Sequence, residues 1–451
     1  MKLEQKFYSP ETKSSDFLYA HSTALQQLLE ARAFGKPYQL FVSDLDDTLT
    51  VLRHPETYAA TNAVRSLLES QAKVLCVATS RSIEWVLSEE QRLKSPNFYR
   101  LPPHLHVDPQ TAIKSYGDPR EHEPEGVLNA PVIISSTGTE IYVRRKDSYG
   151  GGYVRDEEHA QLMRSEPEHW RKVTMQVIHA LDPEASLVKL SSEETMEGYT
   201  NGTAYMAPPD YRIKAIALSD PTDTEKGLTN KLIFQTRLEF LRRNFTAYSM
   251  LRGQGRLDEL VTFEESFRKL GINVGALTEM LPEDVNNLRF LDDSSPAKGV
   301  YRFYLLPNRG SKARAANWVI SKLGKQLLVD DTTPEVNVTL AGDSFPDLEL
   351  GLFSCGRGKF GIKVNSTFIL AGGSRLTPTL LALSRKRDFP IIFAGEDLSA
   401  WAERFEDFNE REGTVLFRSP FSDKPIKIII GDVAFPDTKG PETLQEYLLK
   451  N

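Results

Sequence analysis

Two kinds of apolar pattern alternate along this chain. Short unbroken apolar runs, at Tyr38–Val42, Lys73–Ala78, Val132–Ser135 and Val336–Leu340, read as strands, and such runs suit a parallel sheet buried on both faces. Between them, apolar residues return at helical spacing. Leu18, Leu25, Leu28 and Leu29 predict a helix over Phe17–Ala33, and further helices are expected over Tyr58–Ser70, Ser82–Leu93, Lys312–Leu323 and Glu442–Leu449. Strand, helix and strand in succession predict right-handed βαβ crossovers, which set neighbouring strand ends side by side.

The strand ends carry the chemistry. After Phe41-Val42-Ser43 come Asp44, Asp46 and Asp47, a cluster that repels itself unless a cation or a shared proton relieves it. Strand Val336–Leu340 ends in Ala341-Gly342-Asp343-Ser344-Phe345-Pro346-Asp347, a second acidic strand end, with Gly342 expected to let the backbone approach a ligand. In an open α/β sheet, ligands bind at the carboxyl ends of the strands. Asp44 is read as a nucleophile and Asp46 as its acid/base partner; the alternative is a solvated acidic turn. Magnesium prefers a few carboxylates, water and a substrate phosphate, and Asp44 with Asp343 can supply the carboxylates. Thr79-Ser80-Arg81-Ser82 ends the second strand, where Thr79 can hold a phosphoryl oxygen, although Ser80 or Ser82 also fits a plain helix N-cap. Lys312 opens a helix, a poor place for a cation unless an anion lies there; a surface lysine is the alternative.

From about Arg144 to Lys298 the pattern changes. A helix over His169–Ala180, a strand over Arg212–Leu218, and helices over Leu232–Arg243 and Glu264–Leu270 suggest an inserted α+β module. With 451 residues the chain exceeds one ordinary domain, so the expected division is a helical extension over 1–35, a core over 36–145 and 300–451, and the insertion over 146–299. His104, His106 and His122 sit in a Pro-rich stretch read as solvated loop rather than metal site, and the runs Pro390–Ala394 and Ile426–Ile430 are expected to extend the sheet. Forty per cent hydrophobic residues and a net charge of −7 describe a globular protein with no basic footprint for nucleic acid and no polybasic membrane signal. The two cysteines, Cys76 and Cys355, suit a reducing compartment, and the polar start of the chain gives no signal-peptide pattern, so a cytoplasmic location is expected.

Taken together, these pieces resemble the haloacid dehalogenase superfamily of phosphatases. Asp44-Leu45-Asp46-Asp47-Thr48, Thr79-Ser80-Arg81, Lys312 and Gly342-Asp343-Ser344 with Asp347 match its four motifs in order. Within it, Thr137-Gly138-Thr139-Glu140-Ile141-Tyr142, His169-Trp170 and Leu305-Leu306-Pro307-Asn308-Arg309 are similar to sucrose-phosphate phosphatases and other sugar-phosphate phosphatases. The chain departs from that pattern at Ser80, Thr137 and Ala313, and in a longer insertion. The resemblance implies a Rossmann-like three-layer α/β core with a parallel sheet and an inserted α+β cap of the larger type. It also implies a Mg²⁺-dependent phosphomonoesterase acting on a small phosphorylated sugar through an aspartyl-phosphate. Asp44 and Asp46 would be catalytic; Thr79, Ser80 and Lys312 would bind phosphate; Asp44, Asp46, Asp343 and Asp347 would hold the metal. A sugar phosphomutase, or a binding protein that kept the fold without the activity, are the other readings.

Overall fold

The computed structural model describes residues 14–50, 58–80, 130–146, 152–163, 311–328, 334–353, 362–386 except 375, 402–419, 422 and 424–451, together with the backbone of further strands between 188 and 307 and between 392 and 397. In chain order the strands are β1 (Tyr38–Ser43), β2 (Val74–Ala78), β3 (Val132–Ser135), β4 (Glu140–Arg144) and β5 (Tyr153–Arg155). There follow β6 (Val188–Lys189), β7 (Thr203–Met206), β8 (Ile213–Ala217), β9 (Leu232–Arg237), β10 (Leu288–Asp292) and β11 (Val300–Pro307). The remainder are β12 (Glu335–Gly342), β13 (Lys363–Leu370), β14 (Ile392–Phe393), β15 (Glu396–Asp397), β16 (Phe405–Asn409), β17 (Thr414–Phe417) and β18 (Ile426–Ile430). The helices are α1 (Ser15–Ala20), α2 (Thr23–Ala33), α3 (Tyr58–Ser70), α4 (Glu157–Met163), α5 (Lys312–Leu327), α6 (Phe345–Phe353), α7 (Thr377–Ser384), α8 (Gly431–Ala434) and α9 (Gly440–Lys450).

A ten-stranded sheet runs β16-β17-β18-β13-β12-β1-β2-β3-β4-β5. Its six central strands, from β18 to β3, are parallel, and antiparallel strands close both edges. Taken in sequence order, the parallel strands follow the doubly wound pattern that reverses between β1 and β12. The alternation of side chains explains the three layers. Leu40 and Val42 of β1, Cys76 of β2, Ile134 of β3, Leu340 of β12 and Leu370 of β13 face one core with Leu18, Leu25 and Leu28 of α1 and α2 and with Ala316, Val319 and Leu323 of α5. Phe41, Val77, Ile133, Ala341, Ile369 and Ile429 face the other core, with Val64 and Leu68 of α3 and Leu444 and Leu448 of α9. Both faces of these strands are therefore apolar, as the unbroken runs predicted. No helix among the described residues is long and apolar enough to cross a membrane.

Several sequence expectations change. The helix expected over Phe17–Ala33 is broken at His21-Ser22, because Ser22 caps α2 by accepting from the Leu25 N–H (3.1 Å) and bridges Arg145 of the sheet edge. Residues 232–237 of the helix expected over Leu232–Arg243 form strand β9 instead, hydrogen-bonded on one side to β8 and on the other to β11. Ile233, Phe234 and Thr236 suit a pleated strand, and pairing on both edges overrides the helical spacing of the leucines. A second, six-stranded sheet of order β10-β11-β9-β8-β7-β6 is antiparallel throughout. Both expected edges of the insertion fall inside sheets. β5 joins the ten-stranded sheet beyond residue 146, and β11 keeps residues 300–307 in the six-stranded one. Ile426–Ile430 extends the large sheet as expected, whereas Ile392–Phe393 pairs, among the described residues, only with Glu396–Asp397. The helices expected over 82–93, 169–180 and 264–270, residues 238–243, Cys355 and the three histidines of the Pro-rich stretch lie outside the described residues.

Leu340 is fully buried at the centre of β12, so Leu340→Ala should lower the unfolding free energy by about 2–5 kcal/mol. Phe34, 83% exposed beyond α2, should change stability by less than about 0.5 kcal/mol when replaced by Ala. Urea unfolding of both variants checks the pair.

Candidate active site

β1 and β12 are adjacent and parallel, in register from Tyr38 opposite Val336 to Ser43 opposite Ala341. Their carboxyl ends therefore emerge together at the point where strand order reverses. The pairing runs one residue further, as the Asp44 N–H donates to the Ala341 carbonyl at 2.9 Å. Beyond it the chain folds into a tight loop. The Thr50 N–H returns to the Leu45 carbonyl (2.9 Å), and the Asp47 N–H to the Thr50 carbonyl (2.7 Å), with Asp47 at φ 59°. Aspartate tolerates that left-handed conformation better than most residues.

At the end of β12, Gly342 permits a close approach by a side chain of the protein itself. A Cβ there would lie 2.1 Å from Cβ of Asp347, so the glycine lets the first turn of α6 fold back against the strand. That turn brings Asp347 into the site. One carboxylate oxygen each from Asp44, Asp343 and Asp347 lie within 4.8 Å of one another. Lys312, the first residue of α5, reaches in from the other side and donates to Asp44 Oδ1 and to Asp347 Oδ1, both at 2.6 Å. The anions at this helix start are the protein's own side chains, and Lys312 is 1% exposed rather than on the surface. Ser344 donates its N–H (3.1 Å) and its hydroxyl (2.5 Å) to Asp347 Oδ2. Thr48 ties the two acidic strand ends together, its hydroxyl donating to Asp343 Oδ1 at 3.3 Å, and the Ser374 hydroxyl holds the Asp343 carbonyl at 2.5 Å.

The charges do not balance. Burial, followed by the charge of Asp347, pushes the Asp44 carboxyl well above the usual range, against the pull of Lys312. Burial and then Asp44 and Asp347 do the same to Asp343. Lys312 is held charged: burial opposes its ammonium, but Asp347 and Asp44 overcome it and raise its pKa. Three close carboxylates against one cation suit a hard divalent ion with oxygen ligands, so the residues present fit the magnesium expected.

The other expected residues stand nearby. Asp46 is half-buried in the loop and lies outside the group of three carboxylates, although its charge adds to the upward push on Asp44. Thr79 and Ser80 follow β2, the next strand over from β1; Thr79 is fully buried and Ser80 half-buried. The Thr79 N–H donates to the Ile134 carbonyl (2.8 Å), and its own carbonyl accepts from the Thr137 N–H (3.0 Å). Sequence reasoning gave no role to Ser344, Ser374 or the Thr137-Gly138 turn. The glycines at 138 and 342 were the legible signals, since each marks a close backbone approach.

No family model matches the chain. No curated protein matches it either. Solved structures are similar at a distance. Sucrose-phosphatase from Synechocystis sp. PCC6803, in complex with sucrose and phosphate, is 16% identical with a TM-score of 0.36, over 77% of this chain and 88% of that one. The C-terminal domain of C. albicans trehalose-6-phosphate phosphatase is 10% identical with a TM-score of 0.35, over 78% of this chain and 90% of that one. A haloacid dehalogenase-like hydrolase from Bacteroides thetaiotaomicron is 14% identical with a TM-score of 0.33, over 81% of this chain and 99% of that one.

Asp44 and Asp343 keep protons in the folded state at pH values where the unfolded chain has lost them. Stability from these groups is therefore present at low pH and lost as pH rises through the raised values. In EDTA, the melting temperature should fall as pH rises above the ordinary carboxylate range, and millimolar Mg²⁺ should raise it most at the upper end. Thermal scans across pH, with and without Mg²⁺, measure both effects.

Proposed function

We propose that this chain is a magnesium-dependent phosphomonoesterase of the haloacid dehalogenase type, acting on a small phosphorylated sugar or sugar-like metabolite. The observation that carries this reading is the meeting of Asp44, Asp343 and Asp347 with Lys312 where the strand order of the parallel sheet reverses. It is supported by the doubly wound order itself, which marks that point as the ligand crevice.

In this reading, Asp44 is the nucleophile that attacks phosphorus and carries the phosphoryl group as an aspartyl-phosphate. A carboxylate that titrates high is a poor nucleophile in its protonated form, so the paired ammonium of Lys312 and a divalent ion are both needed to hold Asp44 ionised. Lys312 is then placed to face phosphoryl oxygens as well as the carboxylates. Asp46, in the loop just past Asp44 and less buried, protonates the departing sugar oxygen and later takes a proton from the attacking water. Thr79 and Ser80, on the neighbouring strand end, are assigned to the phosphate oxygens. Asp44, Asp343 and Asp347, with Asp46 contributing, would hold the metal. When bound, the ion neutralises the charge that builds on the transferring group. The six-stranded antiparallel sheet is assigned to a cap that closes over the site, excludes water and selects the leaving group. A cytoplasmic location and a free metabolite as substrate complete the proposal.

Purified protein with Mg²⁺ should release inorganic phosphate from p-nitrophenyl phosphate, and EDTA should stop the release. Asp44→Asn should fall below about a thousandth of wild-type kcat, and Asp46→Asn should lose about 10²–10⁴-fold. Substantial turnover by the Asp44 variant would remove it as nucleophile. A panel of sugar phosphates, followed by chromatography, separates hydrolysis from the mutase reading, which yields isomerised sugar phosphate without free phosphate.

A further inference from the structure

A buried polar knot lies behind Lys312, built from segments that no sequence motif joined. Asp156, fully buried between β5 and α4, accepts from the Ser15 hydroxyl of α1, from Trp318 Nε1 of α5 at 2.7 Å and from the His159 N–H at 3.1 Å. Its own N–H donates to the Ile141 carbonyl at 2.8 Å. Tyr19 is buried in the same place, and burial, followed by Asp156, raises its phenol pKa. Asp156 thus fixes the start of α4 and with it His159.

The His159 ring is 2% exposed and packs against the Trp318 ring, centroids 5.6 Å apart. Its Nε2 lies 3.0 Å from the Gly138 carbonyl. A carbonyl can only accept, so Nε2 carries the proton, and Nδ1 is buried with no hydrogen-bond partner among the described residues. Burial also holds the imidazole pKa below its ordinary value, which keeps the ring neutral.

What His159 grips is a turn that resists its own conformation. Thr137 sits at φ 59° and ψ 33°, a left-handed geometry that a β-branched residue adopts rarely, and its buried hydroxyl has no partner among the described residues. Gly138 follows at φ 86°, so close to α5 that a Cβ would lie 2.2 Å from the Ser311 carbonyl oxygen and 2.7 Å from the Lys312 nitrogen. The Thr137 N–H meanwhile holds the Thr79 carbonyl. The turn therefore rests against two residues assigned to the phosphate, and strain of this kind persists only where the surroundings impose it.

We infer that His159, held by Asp156, is a positioning residue that clamps the strained Thr137-Gly138 turn and thereby sets the backbone of Lys312 and Thr79 for phosphoryl transfer. This rests on the function proposed above for Lys312 and Thr79; the clamp itself rests only on geometry. Removing the clamp should let the turn relax and shift the lysine, while the carboxylates keep their places.

The test is a double-mutant cycle in the full chain. His159→Phe keeps the aromatic packing on Trp318 but loses the N–H donor, and Thr137→Asn accepts the left-handed backbone at lower cost. On p-nitrophenyl phosphate with Mg²⁺, His159→Phe should lower kcat about 10–100-fold with a smaller change in KM. His159→Gln, which keeps a donor, should recover part of the loss. Thr137→Asn should be near wild type, and adding it to His159→Phe should restore most of kcat. Hydrogen exchange should quicken in His159→Phe over residues 136–141 and 311–316 and slow again in the double variant. Wild-type kcat and exchange in His159→Phe, or a loss that Thr137→Asn does not repair, would overturn the clamp. If the wild-type chain releases no phosphate, the phosphatase reading falls, and the exchange measurements alone decide the clamp.

Discussion

Lys312 donates to Asp44 and Asp347 from the first turn of a long helix, and all three side chains are shut away from solvent. A lone ammonium in that position would be costly, and so would either carboxylate. Together they still leave Asp343 without an ion pair of its own among the described residues, since its hydrogen bond from Thr48 is neutral. The surrounding scaffold holds this unbalanced group in place. β1 and β12 are buried on both faces and locked in register, so the carboxylates cannot relax apart by sliding. The fold thus keeps the carboxylates crowded through the rigidity of its centre, an arrangement that a shared proton or a cation would relieve.

The topology explains why residues separated by some three hundred positions along the chain meet. A doubly wound sheet reverses direction between its first and fourth parallel strands, and helices leave in opposite directions from that gap. α3 covers one face and α5 the other, so the crevice is lined from both layers. Lys312 belongs to the helix that enters β12, and Asp347 to the helix that leaves it. One crossover unit therefore supplies both the cation and an anion that it pairs with.

Much of this was legible in the sequence, for identifiable reasons. Strands buried on both faces write themselves as unbroken apolar runs, and the carboxylates stand at their ends, so Asp44, Asp343 and Asp347 could be named before their distances were known. Lys312 showed as an anomaly, a cation at the wrong end of a helix. What stayed hidden was everything decided by pairing across the chain. Nothing local to Leu232–Arg237 tells that strands wait on both its edges, and β9 was misread as helix for that reason. Gly342 showed as a place of close approach, but a single glycine does not say which atoms come near, and Asp347 is one that does. His159 and Asp156 gave no sign at all, since their partners at Gly138, Ser15 and Trp318 come from three different segments.

The start of α9 extends this dependence to the last part of the fold. A Cβ at Gly440 would lie 2.2 Å from the Asp47 carbonyl oxygen and 2.7 Å from that of Thr48. The acidic loop after Asp44 is thus braced by a helix made almost four hundred residues later. During synthesis, Asp44, Asp46 and Asp47 must emerge from the ribosome long before that support exists. The nascent acidic turn is therefore free of its mates through most of translation, and the site closes as a late folding event.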